Sequence, residues 1–334
     1  MHGENGAWAL ALGRQHARRA PVVPEKKGAT LSRVPELPDL TVYVEALAQR
    51  VLGKELEGVR LASPFLVRTA VPPLASAVGR RVLGVRRIEK RVALDLGSGP
   101  RASEAPELHL VLHLMIAGRL HWREHGKPLA RRTDLLALDF ETGTVLLTEA
   151  GTKKRAALHV FADEGGIDAL RRGGLEVLGA DGARFDERLR STRHTVKRAL
   201  CDPTLFSGIG NAYSDEILHR ARLSPLTPAR NLTAEESARL HEATRTVLTE
   251  WVERLRRDAG DGFPEKVTAF REGMAVHGRF REPCPVCGAP VQRIVRADNE
   301  VNYCPRCQTG GKILKDRALS QLLKDDWPAS LDEL

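Results

Sequence analysis

The sequence is poor in aromatic residues and has no long apolar run. Phe, Trp and Tyr make up only 4% of its 334 residues, so its hydrophobic cores must consist mostly of Leu, Val and Ala. No apolar stretch approaches the roughly 18 residues that a membrane-spanning helix needs. The apolar run from Ala7 to Leu12 is too short for a signal peptide and has no basic region before it. These absences predict a cytoplasmic protein.

Cysteine is scarce as well, and its distribution is uneven. Four of the five cysteines form two Cys-x-x-Cys pairs, separated by residues 288–303: Cys284, Cys287, Cys304 and Cys307. In a cytoplasmic protein such pairs indicate metal ligands rather than disulfides. Four thiolates close the tetrahedral shell of one structural zinc ion, which would replace the core that the segment after Gly278 lacks. The fifth, Cys201, lies in a helical pattern and is expected to be a small buried residue.

Negative charge is in deficit. The chain carries 52 Lys and Arg against 43 Asp and Glu, a net charge of +9. Residues 1–33 hold six basic and two acidic side chains, or +4, which leaves +5 for the remainder. This modest excess favours an acidic partner such as nucleic acid. Because residues 1–33 follow neither helical nor strand periodicity, we interpret them as a mis-annotated or disordered leader.

The pattern of apolar residues predicts an α+β protein with several domains. Apolar residues recur at helical spacing from Leu40 and stop at Gly53, which predicts a first helix. Between about 55 and 162 they alternate or form short runs, which predicts strands, and residues 184–258 follow a helical pattern. One helix followed by strands without alternating helices favours a β-sandwich over a parallel nucleotide-binding sheet. The predicted units are a β-sandwich with a leading helix (34–165), a helical domain (166–275), a zinc ribbon hairpin (276–308) and a tail (309–334).

A glycine-rich turn separates two of the predicted helices. In Gly208-Ile-Gly210-Asn211, backbone N–H groups at the start of the second helix suit an anion, and the Asn211 amide adds a donor. This pattern is typical of a phosphate site. The alternative is a plain turn between helices.

The segment Pro35-Glu36-Leu37-Pro38 has two interpretations. As an internal segment it leads into the first helix, and Glu36 is one acid among 43. If synthesis instead began at a valine codon read as methionine at Val34, and that residue were removed, Pro35 would carry a free secondary amine. The second interpretation makes Pro35 a candidate nucleophile.

Three motifs in this order resemble the Fpg/Nei family, which comprises formamidopyrimidine-DNA glycosylase and endonuclease VIII. They are Pro-Glu-Leu-Pro-Asp before a helix, Gly-Ile-Gly-Asn followed by Ala-Tyr-x-x-Glu, and Glu-Pro-Cys-x-x-Cys with Tyr-Cys-x-x-Cys, and they span residues 34–308. The resemblance implies a monomeric, nucleoid-associated enzyme of base-excision repair. It would remove oxidised bases from duplex DNA and cleave abasic sites by β,δ-elimination. The sandwich would then be catalytic, and the helical domain a helix-two-turn-helix DNA-binding domain.

The resemblance also implies roles for individual residues. Pro35 would attack C1′ of the damaged nucleotide and form a Schiff base, and Glu36 would act as general acid and base. Lys90 falls where the family has a β-turn lysine near the reacting phosphate, although alone it would pass for a solvated charge at a strand end. Gly208, Gly210 and Asn211 would bind a phosphate beside the lesion.

The sequence departs from the family pattern in the loops that fill the gap left by a flipped base. Ile116 stands where many members place an intercalating methionine. The loop from Thr148 to Arg155 lacks the Asp-Pro-Arg-Arg-Phe run that carries two further wedges, and Arg155 is a candidate replacement. In the zinc hairpin, Asn299 replaces a phosphate-binding arginine, for which Arg296 or Arg293 could compensate.

Two other functions agree with parts of the sequence. The altered wedges and the residues ahead of Pro35 suit a damaged-DNA-binding protein of the same fold without catalytic activity. The cysteines and the basic charge also suit a zinc-ribbon module of transcription or translation. Such a module has no need of Pro35-Glu36 together with Gly208–Asn211, so the enzyme remains the favoured hypothesis.

Overall fold

The computed structural model describes residues 34–98, 106–265, 267, 271–296, 299–315 and 329–333. The strands in these ranges are β1 (Leu56–Leu61), β2 (Arg81–Ile88), β3 (Arg91–Gly97), β4 (Leu108–His113), β5 (Gly118–Arg123), β6 (Asp134–Phe140), β7 (Gly143–Glu149), β8 (Ala157–Phe161), β9 (Gln292–Arg296) and β10 (Asn299–Tyr303). The α-helices are α1 (Leu37–Val51), α2 (Glu164–Asp168), α3 (Gly182–Arg190), α4 (Val196–Cys201), α5 (Asn211–Arg220), α6 (Ala234–Ala259) and α7 (Pro305–Thr309). None of the helices described is long and apolar enough to cross a membrane.

Strands β1 to β8 form the predicted β-sandwich. One antiparallel sheet has the strand order β2-β3-β4-β8, and the other has the order β1-β6-β7-β5. Leucines from both sheets belong to one buried cluster, with Leu94 and Leu110 from the first sheet and Leu138 and Leu147 from the second. The scarcity of aromatic residues is therefore met by closely packed aliphatic side chains.

Helix α1 packs on the sandwich through its apolar face. Leu40, Leu47 and Val51 are fully buried in the same cluster, as the helical spacing predicted. The helix begins with a proline in its first turn, and the carboxylate of Asp39 accepts the backbone N–H of Glu36 at 2.9 Å. This capping contact holds Glu36, and Pro35 before it, at the head of the helix.

Helices α3 to α6 build a second core and confirm the predicted helical domain. Tyr213 of α5 and Trp251 of α6 pack edge to face with ring centroids 5.9 Å apart. Thr233 and Glu236 form a capping box that fixes the start of α6. The long α6 also contacts α1, where Arg256 pairs with Glu45 at 2.6 Å. The two cores are therefore joined through α1 and α6.

Strands β9 and β10 form the predicted hairpin. The core beside the hairpin is small, because it consists of Val276, Ala289 and Val291 with Cys284 and Cys304. A core of this size cannot stabilise an independent fold by apolar burial alone. The segment therefore depends on its cysteines.

Residues 329–331 lie beside residues 311–313, which closely follow the hairpin unit (276–308, the hairpin domain). The N–H of Ile313 donates to the carbonyl of Ala329 at 2.9 Å, and the N–H of Leu331 donates to the carbonyl of Gly311 at 2.9 Å. The side chain of Leu331 packs against the small core that contains Cys284 and Cys304, which we call the cysteine cluster. The residues between these two short segments, 316–328, lie outside the described ranges.

Candidate active site and metal centre

The carboxylate of Glu36 lies at the N-terminus of α5. Its Oε2 accepts the N–H of Gly210 at 2.6 Å and that of Tyr213 at 3.3 Å, and its Oε1 accepts the N–H of Ala212 at 2.9 Å. N–H groups in the first turn of a helix have no partner within the helix, and the helix dipole makes this end positive. With 3% of its surface exposed, Glu36 is a positioned internal carboxyl group.

The glycines of the turn before α5 allow this close approach. Gly208 has φ +80°, and its carbonyl accepts the N–H of Leu37 at 2.9 Å. A Cβ on Gly210 would lie only 2.6 Å from Oε1 of Glu36 and 2.7 Å from Nζ of Lys90. The N–H of Gly210 therefore binds a carboxylate of the protein, where the sequence had predicted a phosphate contact.

Lys90 lies in the turn between β2 and β3, and the turn is fixed by its neighbour. Glu89 has φ +52°, and its carboxylate pairs with Arg91 at 3.0 Å and accepts the N–H of Arg172. Because Glu89 is buried and bound on two sides, the half-buried Lys90 is presented at the tip of the hairpin. Lys90 thus approaches Glu36 from the sandwich, while α5 approaches it from the helical domain.

The environment of Glu36 changes the acidity of its carboxyl group. Burial raises the pKa above its ordinary value, and the charge of Lys90 and the N–H of Ala212 offset only part of that rise. The neighbouring Asp39 carboxylate raises the pKa further. A carboxyl group of this kind can hold a proton closer to neutral pH than an exposed glutamate and can deliver it.

Pro35 is buried directly before Glu36, and in this chain its nitrogen forms a peptide bond with Val34. The adjoining turn is held from a third direction, because Arg271 pairs with Asp39 at 2.6 Å. Both partners of this pair are largely buried, with 13% and 5% of their side chains exposed. The head of α1 is therefore fixed by the sandwich, by α5 and by the segment after α6.

Asn211 contacts the hairpin. Its Nδ2 donates to the carbonyl of Glu300 in β10 at 2.9 Å, and its side chain is half-buried. The amide oxygen and the remaining N–H are the groups with which it could bind a phosphate. Its assignment as a phosphate ligand stays a prediction.

The predicted wedge residues lie on two loops of the sandwich. Ile116 is half-buried in the turn between β4 and β5, a turn so tight that a Cβ on Gly118 would meet the carbonyl oxygen of Leu114 at 2.2 Å. Arg155 is exposed, while its backbone N–H donates to Glu149 at 2.9 Å. Each side chain is thus presented by an anchored backbone.

Two basic residues of the hairpin, Arg293 and Arg296, were predicted as possible phosphate ligands. Arg293 pairs with Glu300 at 3.3 Å and stacks on Phe280 with its guanidinium carbon 4.3 Å from the ring centroid. It is therefore engaged within the protein, which weakens the expectation that it replaces the missing arginine. Arg296 pairs with Asn299 in the strand register, but both side chains lie outside the described residues.

The four cysteines of the hairpin domain converge. Sγ of Cys284 lies 3.9 Å from Sγ of Cys307, and Sγ of Cys287 lies 3.3 Å from Sγ of Cys304. Two thiolates bound to one zinc ion in a tetrahedral shell lie roughly 3.8 Å apart. The two separations lie on either side of this value, so the four cysteines suit the shell of one zinc ion. Cys201 lies elsewhere, with its Sγ 3.3 Å from the carbonyl of Gly210 and 3.1 Å from Oγ of Ser214.

One buried ionic network beside the site was not predicted. Nζ of Lys197 lies 2.6 Å from Asp215 and donates to the carbonyl of Asn211 at 2.7 Å, and Asp215 lies 2.8 Å from Nδ1 of His277. The network joins α4, α5 and the segment that leads into the hairpin. A charged residue within the apolar pattern of a helix was the available signal, but such residues usually lie on the solvated face.

Three known domain families match successive parts of this chain. Residues 34–154 match the formamidopyrimidine-DNA glycosylase N-terminal domain, and residues 178–259 match the formamidopyrimidine-DNA glycosylase H2TH domain. Residues 281–310 match a zinc finger found in FPG and IleRS. The zinc-finger match and the converging sulfur atoms confirm the predicted structural zinc.

Known proteins match nearly over their whole length. The chain is 33% identical over 284 residues to the formamidopyrimidine-DNA glycosylase of Chloroflexus aurantiacus, covering 82% of this chain and 98% of the relative. The crystal structure of MutM (Fpg) from Thermus thermophilus matches with a TM-score of 0.67 and 33% identity, covering 82% of this chain and 98% of that chain. Lactococcus lactis Fpg in complex with DNA containing an abasic site matches with a TM-score of 0.71, covering 82% and 99%, and at 23% identity this is a likeness of fold.

Proposed function

This chain belongs to the formamidopyrimidine-DNA glycosylase family, and we propose that it excises oxidised bases from duplex DNA and then cleaves the abasic strand. The observation that carries the proposal is the arrangement around Glu36. A buried carboxyl group directly follows Pro35, lies at the start of α5 and has Lys90 beside it. A perturbed acid next to a specific charged partner is typical of catalytic sites.

The first reaction is a displacement at C1′ of the damaged nucleotide. The secondary amine of Pro35 supplies the electron pair of the new N–C1′ bond, and the base leaves with the pair of the broken glycosidic bond. The departing base takes up the proton that the amine nitrogen loses, which frees the nitrogen pair to form the C=N bond. Glu36 gives its proton to the sugar ring oxygen as the bond from that oxygen to C1′ opens. The product is an open sugar joined to Pro35 as an iminium ion.

The iminium ion then promotes strand cleavage. Because proline is a secondary amine, this ion has no N–H to lose, stays cationic and withdraws electrons from C2′. Loss of the C2′ proton expels the 3′ phosphate, and a second elimination expels the 5′ phosphate. The ammonium group of Lys90 stabilises the charge that develops on a leaving phosphate. Water then releases Pro35 from the sugar fragment.

The DNA is held by contacts that do not read its sequence. Asn211 and the hairpin bind phosphates beside the lesion, as suits an enzyme that scans for damage. Ile116 and Arg155 enter the gap that the flipped base leaves. The abasic-site DNA bound to the Lactococcus lactis relative supports a DNA partner for the shared fold.

The zinc ion has a structural role in this scheme. Cys284, Cys287, Cys304 and Cys307 hold it, and four thiolates leave no open position for water or substrate. It supplies the folding energy of the hairpin domain. The hairpin in turn supports Asn211 through the carbonyl of Glu300.

Borohydride trapping tests the proposal. Protein that begins at Pro35 is incubated with a duplex containing an oxidised base or an abasic site and reduced with borohydride. We expect a covalent adduct that is lost in Pro35→Ala with a blocked amino terminus. Folded, zinc-loaded protein that gives no adduct with either substrate would refute the lyase activity.

A second candidate function rests on the peptide bond between Val34 and Pro35. A nitrogen in that bond is a tertiary amide and cannot attack C1′, so protein in which the bond is intact would bind damaged DNA without cleaving it. Mass spectrometry of the native amino terminus separates the two functions. A terminus at Pro35 supports the lyase, whereas a longer terminus with tight lesion binding and no turnover supports the binding protein.

A further inference from the structure

The cysteine cluster lies against one histidine of the helical domain. His219 lies near the end of α5 with 6% of its surface exposed, and its Nε2 is 3.3 Å from Sγ of Cys284. One ring nitrogen of His219 and the sulfur atoms of Cys284, Cys304 and Cys307 all lie within 4.8 Å of one another. The ring therefore adjoins the metal centre from outside the zinc-finger segment.

We propose that His219 donates its Nε2–H to the zinc-bound thiolate of Cys284 and thereby fastens the zinc finger to the helical domain. The proposal rests on the structural zinc and not on the catalytic chemistry. His219 is a positioning residue in this scheme, since it touches a metal ligand and not the DNA.

The other cysteines leave His219 no place in the metal shell. Four sulfur atoms already have separations that suit a tetrahedral zinc site, with 3.9 Å and 3.3 Å between the paired sulfur atoms. A fifth donor would have to displace a thiolate. A neutral imidazole beside a complete shell instead acts as a hydrogen-bond donor to sulfur.

The sulfur atoms also differ in the source of their hydrogen bonds. Cys304 accepts the backbone N–H of Cys307 at 3.4 Å, and Cys287 accepts the backbone N–H of Ala289. Both donors belong to the finger itself. Cys284, with only 2% of its surface exposed, has its side-chain donor in another domain. A buried thiolate that lacks an N–H partner is costly, so this contact stabilises the charged cluster.

The contact extends to the active site because α5 is shared. The same helix binds the Glu36 carboxylate at its first turn and carries His219 in its last turn, roughly 12 Å away at 1.5 Å per residue. Glu216, between them, accepts the N–H of Val276 at 2.9 Å from the segment that leads into the finger. Fastening the finger at His219 therefore also supports the helix that holds the catalytic carboxyl group.

Zinc affinity measured without DNA tests the proposal. The protein is titrated against a chromophoric chelator in three variants: His219→Phe, His219→Gln and the control His241→Phe. His241 is a half-buried histidine of the same domain whose ring contacts Ala180 and Phe185. We expect His219→Phe to bind one zinc ion about 10- to 100-fold more weakly, the usual cost of losing a partner of a metal ligand. His219→Gln keeps an N–H donor and retains most of the affinity, and His241→Phe is unchanged.

Cobalt substitution distinguishes a donor from a ligand. We expect Co²⁺ in the wild type and in His219→Gln to give the same absorption spectrum of four thiolate ligands. A wild-type spectrum of three thiolates and one nitrogen, or an unchanged zinc affinity in His219→Phe, would overturn the proposal. Borohydride trapping of the same variants is independent of these results, so failure of the lyase proposal would be recognised separately.

Discussion

The sandwich with α1 and the zinc finger show two ways in which one chain fixes a functional surface. The sandwich buries a large aliphatic cluster to which both sheets and α1 contribute. The core around the cysteines of the finger holds only five buried residues, two of which are cysteines. The first region is stable through area removed from water, whereas the second depends on a metal ion. A substitution should therefore affect one region and leave the other intact.

Removal of the metal gives the largest expected effect. Cys304→Ala removes one of the four ligands and should abolish zinc binding. The effect on the finger should be large, because structural zinc contributes an apparent free energy of about 10–16 kcal/mol in isolated fingers. The finger should lose its structure while the sandwich still melts cooperatively. Zinc content and thermal unfolding followed by circular dichroism measure the two effects. The control Cys201→Ala, which is remote from the metal, should keep its zinc. Simultaneous melting of both regions in Cys304→Ala would contradict the expectation that the sandwich is stable without the metal.

A cavity in the sandwich core tests the opposite case. Leu47 of α1 is fully buried, so Leu47→Ala should lower the free energy of unfolding by about 2–5 kcal/mol. Zinc affinity should not change. Urea denaturation measures the stability, and Leu52→Ala is the control because 51% of the surface of that residue is exposed. A loss of zinc affinity in Leu47→Ala would show that the two regions do not fold independently.

The contact at Glu36, between the head of α1 and the helical domain, is tested by pH. Burial raises the pKa of its carboxyl group and the charge of Lys90 lowers it, so Lys90→Met should raise that pKa further. If Glu36 acts as the acid, activity declines as the pH rises through this pKa, and the variant should move the alkaline limb of kcat/KM to higher pH. The measurement is kcat/KM as a function of pH for protein that begins at Pro35.

The matched control for this test is the remote Lys54→Met, since Lys54 pairs with the exposed Glu141. Lys90→Met should also lower the rate at every pH, because it removes the charge near the phosphate. The position of the alkaline limb is the decisive quantity. A limb that stays in place or moves to lower pH would contradict the assignment of Glu36 as the acid.

The smallest expected effect concerns the returning tail. Leu331 packs against the cysteine cluster, and Leu331→Ala should expose it and speed the release of zinc to a chelator by a few-fold, equivalent to about 1 kcal/mol. Ser330→Ala, at the neighbouring position, is the control. An unchanged release rate would mean that the tail does not protect the metal site.

The sequence predicted what depends on neighbours along the chain. The spacing of Leu40, Leu47 and Val51 predicted α1, and the cysteine spacing predicted the zinc site. The order of three motifs identified the family. Each of these signals is local or repeats at a fixed interval.

The sequence pattern did not predict contacts between residues that are far apart in the chain. Glu36 binds Gly210 across 174 positions, so nothing near Glu36 in the sequence indicates that it is buried. The approach of His219 to Cys284 likewise depends on how the helical domain meets the hairpin segment. A helical pattern predicts which face of the helix such a residue occupies. It does not predict which part of the protein packs against that face.

Gly210 has a consequence for the comparison of relatives. A methyl group there would overlap both the Glu36 carboxylate and the Lys90 ammonium group, so even alanine would drive the two apart. A homologue with a side chain at this position could keep the proline, the glutamate and the lysine and still have lost its geometry. A comparison restricted to those three side chains would not detect the change. The absence of a side chain at Gly210 is thus a more discriminating marker of the intact arrangement than the three side chains themselves.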